Sequence, residues 1–142
     1  MDSPKHIPET ERDALMVLNA IEGWGPVTGA KALKWLKGDF EKLFGLSVDE
    51  LAPVVGKSRA TSLESWRKAF DLEWEKARLL EIGGRYVIPS DAEYPELLKA
   101  LPDRPLGLYL KGHSELKLKK SIAIVGTRKA TAYGRKVTEE FC

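Results

Sequence analysis

The chain has 142 residues, 43% of them hydrophobic and 31% charged, which suits one soluble domain or two small ones and argues against disorder. Its nearly apolar stretches, such as Ile122 to Val125, fall far short of the roughly 20 residues that a membrane-spanning helix needs, and Met1-Asp2-Ser3-Pro4-Lys5-His6 carries no secretory pattern. The single cysteine, Cys142, allows neither an internal disulfide nor a cysteine metal cluster, so a reducing cytoplasm is the expected setting.

Residues Arg12 to Ile82 read as helical, because apolar positions recur at helical spacing. The first helix has an acidic first turn at Glu9 to Glu11, one apolar stripe through Leu15, Leu18 and Ile21, and a stop at Gly23. A second helix is predicted from about Val27 to Leu36, with Ala30, Leu33 and Trp35 available for burial, and a short third one carries Phe40, Leu43 and Phe44. Ser47 and Glu50 have the spacing of a capping box for a fourth. From Arg59 to Ile82 the apolar steps predict one long amphipathic helix or two joined ones, ended by Gly83-Gly84.

Beyond that point the pattern changes to short β-like runs. Arg85 to Ile88 reads as a strand stopped by Pro89, Tyr94 to Leu101 as a short helix with Pro95 in its first turn, and Leu106 to Leu110 as a second strand. Ser121 to Val125, apolar almost throughout, is predicted to be a strand buried on both faces, as in a parallel sheet covered by helices. Thr131 is placed to cap a last helix carrying Val137 and Phe141 on one side.

Net charge is only +2, so polyanion binding has to be judged from where the cations sit. From Lys111 to Lys136 the basic residues Lys111, Lys117, Lys119, Lys120, Arg128, Lys129, Arg135 and Lys136 are opposed only by Glu115. That segment is either a solvated surface with strand-edge lysines or a phosphate-binding face. Within it, Ile122 to Gly134 is a strand-like run leading into Gly126 and then a helix start, the place where open α/β sheets bind phosphates. Gly126 permits close backbone approach, Thr127 offers a hydroxyl, and Arg128 offers a charge-assisted contact of ~1.5 to 3 kcal/mol. The run is neither a dinucleotide fingerprint nor a P-loop, and a plain strand-to-helix turn, with Gly134 small for close packing on a sheet, is the competing account.

Two helices joined by Gly23-Trp24-Gly25 resemble a helix-hairpin-helix module, in which a glycine turn exposes backbone N–H groups to a DNA phosphate. A weaker echo at Leu51 to Ala60 has Ser58 where a second glycine would stand. Gly23 and Gly25 are therefore candidates for a secondary DNA contact, against the simpler need of any tight αα corner for glycine. Of the four tryptophans, Trp35 and Trp66 are expected to be buried, while Trp24 is left open between burial and base stacking. No triad, paired-carboxylate site or metal cluster is visible, and His6 and His113 lie far apart, so no catalytic residue, cofactor or metal is expected.

Four blocks in order, Gly23 to Pro26, Asp91 to Leu98, Leu101 to Gly112 and Ala123 to Arg128 with Thr131, Tyr133 and Gly134, resemble the DprA/Smf family. The resemblance covers nearly the whole chain. It implies an α plus partial α/β chain: a helical SAM-like or helix-hairpin-helix domain over residues 1–82, then the beginning of a Rossmann-like domain over residues 83–142. It also implies single-stranded DNA binding in a basic pocket, homodimers, and recruitment of RecA in natural transformation, without catalysis. By motif position Arg128 belongs to that pocket, with Gly126 and Thr127 lining it and Lys129 flanking it.

A complete Rossmann-like sheet has two βαβαβ halves, more than residues 83–142 supply, so the chain is expected to be a truncated product or a fragment that leaves Ile122 to Val125 exposed. The family's dimer surface is expected to be missing with the remaining strands. Two other readings are a nucleoside-monophosphate phosphoribohydrolase-like Rossmann enzyme and a helical protein-interaction module that does not bind DNA.

Overall fold

The computed structural model of the chain describes residues 8–112 and 122–142, and among them it is mostly helical with one small antiparallel sheet. The helices are α1 (Glu11–Ala20), α2 (Pro26–Trp35), α3 (Phe40–Gly45), α4 (Val48–Val55), α5 (Lys57–Ala69), α6 (Leu72–Glu81), α7 (Glu96–Lys99) and α8 (Ala132–Phe141). The strands are β1 (Gly84–Val87) and β2 (Leu108–Lys111).

The helix starts follow from side-chain chemistry. Thr10, Asp39, Ser47, Asp71 and Thr131 each accept a hydrogen bond from an amide of the first turn, relieving donors that the helix cannot satisfy itself. At α4 the expected reciprocal box is complete, with Glu50 accepting from Ser47 N at 2.8 Å. The long helical run after Arg59 is two helices, because Phe70 leaves the helical conformation and Asp71 caps α6.

Sequence periodicity predicts one apolar stripe on α1, but residues 13 to 18 are all buried, which makes α1 the central helix of the body. The one charged residue in that run, Asp13, is neutralised by Lys76 Nζ of α6 at 2.9 Å. Around α1 the core gathers Leu43, Leu51, Leu63 and Trp66 from the later helices and Tyr86, Ile88 and Leu106 from the hairpin region. The helices and the hairpin thus share one apolar interior.

In the hairpin, Gly84 pairs with Lys111 and Tyr86 with Tyr109, whose ring centroids lie 4.8 Å apart. Tyr86 points into the body, where its hydroxyl donates to Leu15 O at 3.2 Å, and burial raises its phenol pKa above the ordinary value. Arg12 Nη1 donates to Tyr86 O at 2.7 Å, and the same guanidinium grips both oxygens of Asp91 at 2.7 and 2.8 Å. Asp91 also accepts from Ile88 N at 2.8 Å, and Tyr94 closes the connecting loop by donating to Pro105 O at 2.7 Å. Pro95 stands just before α7 rather than inside its first turn. The second strand begins at Leu108 rather than Leu106 because Leu106 turns inward against Gly29, where an added Cβ would stand 3.0 Å from its side chain.

The expected third strand does not form in the described residues. Ser121 lies outside them, and Ile122 to Val125 are neither paired nor covered, with Val125 89% exposed. A strand buried on both faces needs ladder partners and a layer on each side. The described sheet is the β1–β2 hairpin alone, so the apolar run has neither. Its exposure agrees with the expectation that this hydrophobic segment is left open to solvent.

Two measurements check the hairpin's attachment. A Cβ on Gly107 would overlap the Tyr86 ring, so Gly107→Ala is expected to lower stability in urea denaturation by about 1–3 kcal/mol. The hydrogen bonds from Arg12 hold the Asp91 carboxyl below its ordinary value of 3.8, so the pair's contribution is fully present above that pH and is lost as pH falls through the lower folded-state value. Asp91→Asn should therefore flatten the acid limb of the stability profile below pH 3.8, and a limb identical to that of the parent would refute the assignment.

Candidate nucleic-acid interface

Gly126, Thr127, Arg128 and Lys129 lie together in an exposed loop that runs into α8. The loop is shaped locally: Thr127 Oγ1 accepts from Lys129 N at 3.3 Å, and Thr131 Oγ1 accepts from Gly134 N at 3.1 Å. Among the described residues neither Arg128 nor Lys129 has a side-chain hydrogen bond or ion pair, so both cations are available to a ligand. A guanidinium turned against a carboxylate would have excluded Arg128 from a phosphate site, and that arrangement is absent among the described residues.

Two expectations about this loop need correction. The residues do not stand at the tip of an innermost strand, because Ile122 to Val125 is unpaired and exposed. Gly134 does not let a helix approach a sheet, since the atoms nearest an added Cβ belong to Thr131 and Ala130. Its contribution is the amide that completes the Thr131 cap. Gly126 has open space where a Cβ would stand, so packing within the chain does not require glycine there. Lys117, Lys119, Lys120, His6 and His113 lie outside the described residues.

The Gly23-Trp24-Gly25 turn is built differently. Gly23 has φ +80°, which a side chain would strain, and Gly25 precedes α2 without a side-chain cap. Pro26 at the first helical position has no N–H, and the amides of Val27 and Thr28 have no carbonyl one helical turn back to bond. Trp24 is buried at 2% exposure and donates its Nε1–H to Arg59 O at 2.8 Å, which settles the open question in favour of packing.

Arg59 comes from the echo turn after Gly56, itself at φ +90°. Its Nε donates to Gly23 O at 3.0 Å and its Nη1 to Val55 O at 3.1 Å. The two glycine turns are thus clamped face to face by one indole and one guanidinium. Arg59 lies within the echo from Leu51 to Ala60, three residues after Gly56, and nothing local in the sequence gives it a role. A shallow groove of about 550 Å³ beside the turns is lined by Glu22, Ser58, Ser62 and Trp66, and Glu22 sets a carboxylate against an anion on that side. Among the described residues no hydrogen bond or ion pair joins this corner to residues 126–129.

Trp35 also departs from expectation. It is 49% exposed, because α2 turns Gly29, Ala32 and Leu36 inward and position 35 falls outside that arc. Trp66 is buried as expected, packed against Phe44 and Phe70 at centroid distances of 5.6 and 5.3 Å.

A helical body closed by one hairpin and followed by a cationic loop at a capped helix start defines a small α-rich protein with an exposed basic arm. Residues 85–142 match the family described as DNA recombination-mediator protein A. The DNA processing protein DprA of Bacillus subtilis (strain 168) is 45% identical over 58 residues, which cover 37% of this chain and 20% of that protein. No solved structure shows a significant match. The matched span contains the hairpin from Arg85 on, Asp91 and the loop at Arg128, and none of the helices α1 to α6. No helix among the described residues is long and apolar enough to cross a membrane.

The clamp gives a direct test: Arg59→Ala removes the bonds to Gly23 O and Val55 O and is expected to cost about 1–2 kcal/mol in thermal or urea denaturation. A change indistinguishable from zero would show that the two turns hold each other without it.

Proposed function

We propose that this chain acts as a single-stranded-DNA-binding protein of the DprA type, which protects incoming DNA and brings RecA to it in natural transformation and recombination. The observation that carries this reading is the family match over residues 85–142, which contains a loop whose Arg128 and Lys129 have no charged partner among the described residues. In this reading residues 126–129 receive a backbone phosphate. Arg128 supplies the charge, Thr127 and the free amides at the start of α8 supply hydrogen bonds, and Lys129 flanks the anion. Gly23 and Gly25 form a secondary contact through the uncapped start of α2.

On the same reading residues 1–82 form a SAM-like or helix-hairpin-helix domain, and residues 83–142 belong to a Rossmann-like domain. Homodimerisation and a RecA interface belong to the same proposal, and the cytoplasm is the compartment it requires. The role is one of binding and hand-over rather than catalysis. The family match favours it over a phosphoribohydrolase-like enzyme, and also over a purely protein-binding helical module.

Fluorescence anisotropy with an oligothymidylate tests the site. Affinity should fall with salt with a slope of about 0.7 per phosphate neutralised, with little base preference. Arg128→Ala should weaken binding to every sequence and reduce that slope by about 0.7. Unchanged affinity and slope would remove Arg128 from the interface.

A further inference from the structure

Among the described residues, the exposed side of α2 is another place where unneutralised cations collect. The helix, Pro-Val-Thr-Gly-Ala-Lys-Ala-Leu-Lys-Trp, contains no acidic residue. Gly29, Ala32 and Leu36 face the core, so Val27, Lys31 and Lys34 project from the opposite side, with Trp35 at its edge. Lys37 follows just beyond the helix, held outward in the left-handed region at φ 55°. Among the described residues none of Lys31, Lys34 and Lys37 makes a side-chain hydrogen bond or an ion pair. No carboxylate pairs with them among the described residues: Asp39 accepts from Lys42 N as the cap of α3, and Glu11 lines the shallow cleft that Lys34 borders without pairing with it.

A second observation concerns the aromatic group. Two tryptophans are substantially exposed, Trp35 at 49% and Trp74 at 56%. Trp74 already carries the Arg78 guanidinium 5.1 Å from its ring centroid, and its helix also bears Glu73, Glu75 and Glu81. Those carboxylates repel a polyanion. Trp35 has no ring or cation partner among the described residues, and the charged residues of its helix are both lysines. A bare aromatic face next to unpaired ammonium groups provides the two elements that sequence-tolerant single-strand recognition uses, a surface for a base and charge for the backbone.

We propose that the Val27, Lys31, Lys34, Trp35 and Lys37 face of α2 is a second binding surface for a single-stranded nucleic acid, separate from the loop at Arg128. The lysines take backbone phosphates and Trp35 stacks a base. The proposal rests on the DNA-binding reading above and extends it to the helical body, outside the span that matches the family.

The test uses the full chain, an oligothymidylate and two variants, Lys31→Gln/Lys34→Gln/Lys37→Gln and Trp35→Ala, each checked for parent-like circular dichroism. The triple variant should reduce the salt slope by up to about 2, following three phosphates at roughly 0.7 each. Trp35→Ala should weaken binding roughly tenfold while leaving the slope in place. In a Trp74→Phe background, oligonucleotide should still quench tryptophan fluorescence, and adding Trp35→Phe should abolish that quenching. If Arg128→Ala weakens binding while the α2 variants do not, the α2 surface is refuted and the DNA-binding reading stands. If the parent chain binds no oligonucleotide, both fall. If the triple variant loses polyglutamate and oligonucleotide equally and Trp35→Ala changes neither, the surface serves acidic proteins and the nucleic-acid proposal is overturned.

Discussion

Docking of β1 against α1 is the contact on which the rest of the architecture rests. A two-stranded hairpin has little stability by itself in water, because each strand lacks a partner on its far edge. Here Tyr86 inserts its ring into the helical interior and finds an acceptor for its hydroxyl in the Leu15 carbonyl. That carbonyl already serves the α1 backbone and has a second lone pair to offer. Arg12, from the first turn of the same helix, then holds the strand and the following loop together through Tyr86 O and Asp91. Because α1 is itself buried over residues 13 to 18, whatever is fixed to it is fixed to the whole body.

The basic residues divide by what they touch. Arg12, Lys76 and Arg59 are committed to internal partners: Asp91, Asp13, and the carbonyls of Gly23 and Val55. Each is a structural cation: Arg12 and Lys76 meet carboxylates from segments distant in sequence, and Arg59 is held by backbone carbonyls. Arg128, Lys129, Lys31, Lys34 and Lys37 have no such partner among the described residues. This separation distinguishes residues that hold the molecule together from those left for an anionic ligand, and a net charge of +2 conceals it.

Local chemistry was the legible part of the sequence. The Ser47 and Glu50 box, the Thr131 cap and the glycine stops could each be read because a cap is decided by residues within one turn of each other. The break between α5 and α6 was left open by periodicity, since Asp71 interrupts the hydrophobic steps without displacing them. What could not be read depended on distant partners. Trp24, left open by the sequence, is buried because Arg59 supplies an acceptor, and Trp35, expected to be buried, is exposed because α2 turns it away from the core. Ile122 to Val125 has the composition of a central strand, yet composition does not supply the neighbouring strands that would make it one. At the candidate site the residues were legible from their motif, while the lack of a carboxylate paired with Arg128 among the described residues required coordinates.

Helix α8 closes its own first turn through Thr131 and Gly134 but buries none of its ten residues, with Tyr133 and Phe141 largely in solvent. A helix of this length has little intrinsic persistence in water when no apolar face is covered. Whatever engages the loop before it must therefore also meet the entropy of organising the arm. Association would then carry a calorimetric signature beyond that of docking rigid surfaces: a favourable enthalpy offset by an ordering term, and a negative heat-capacity change as Tyr133 and Phe141 leave water.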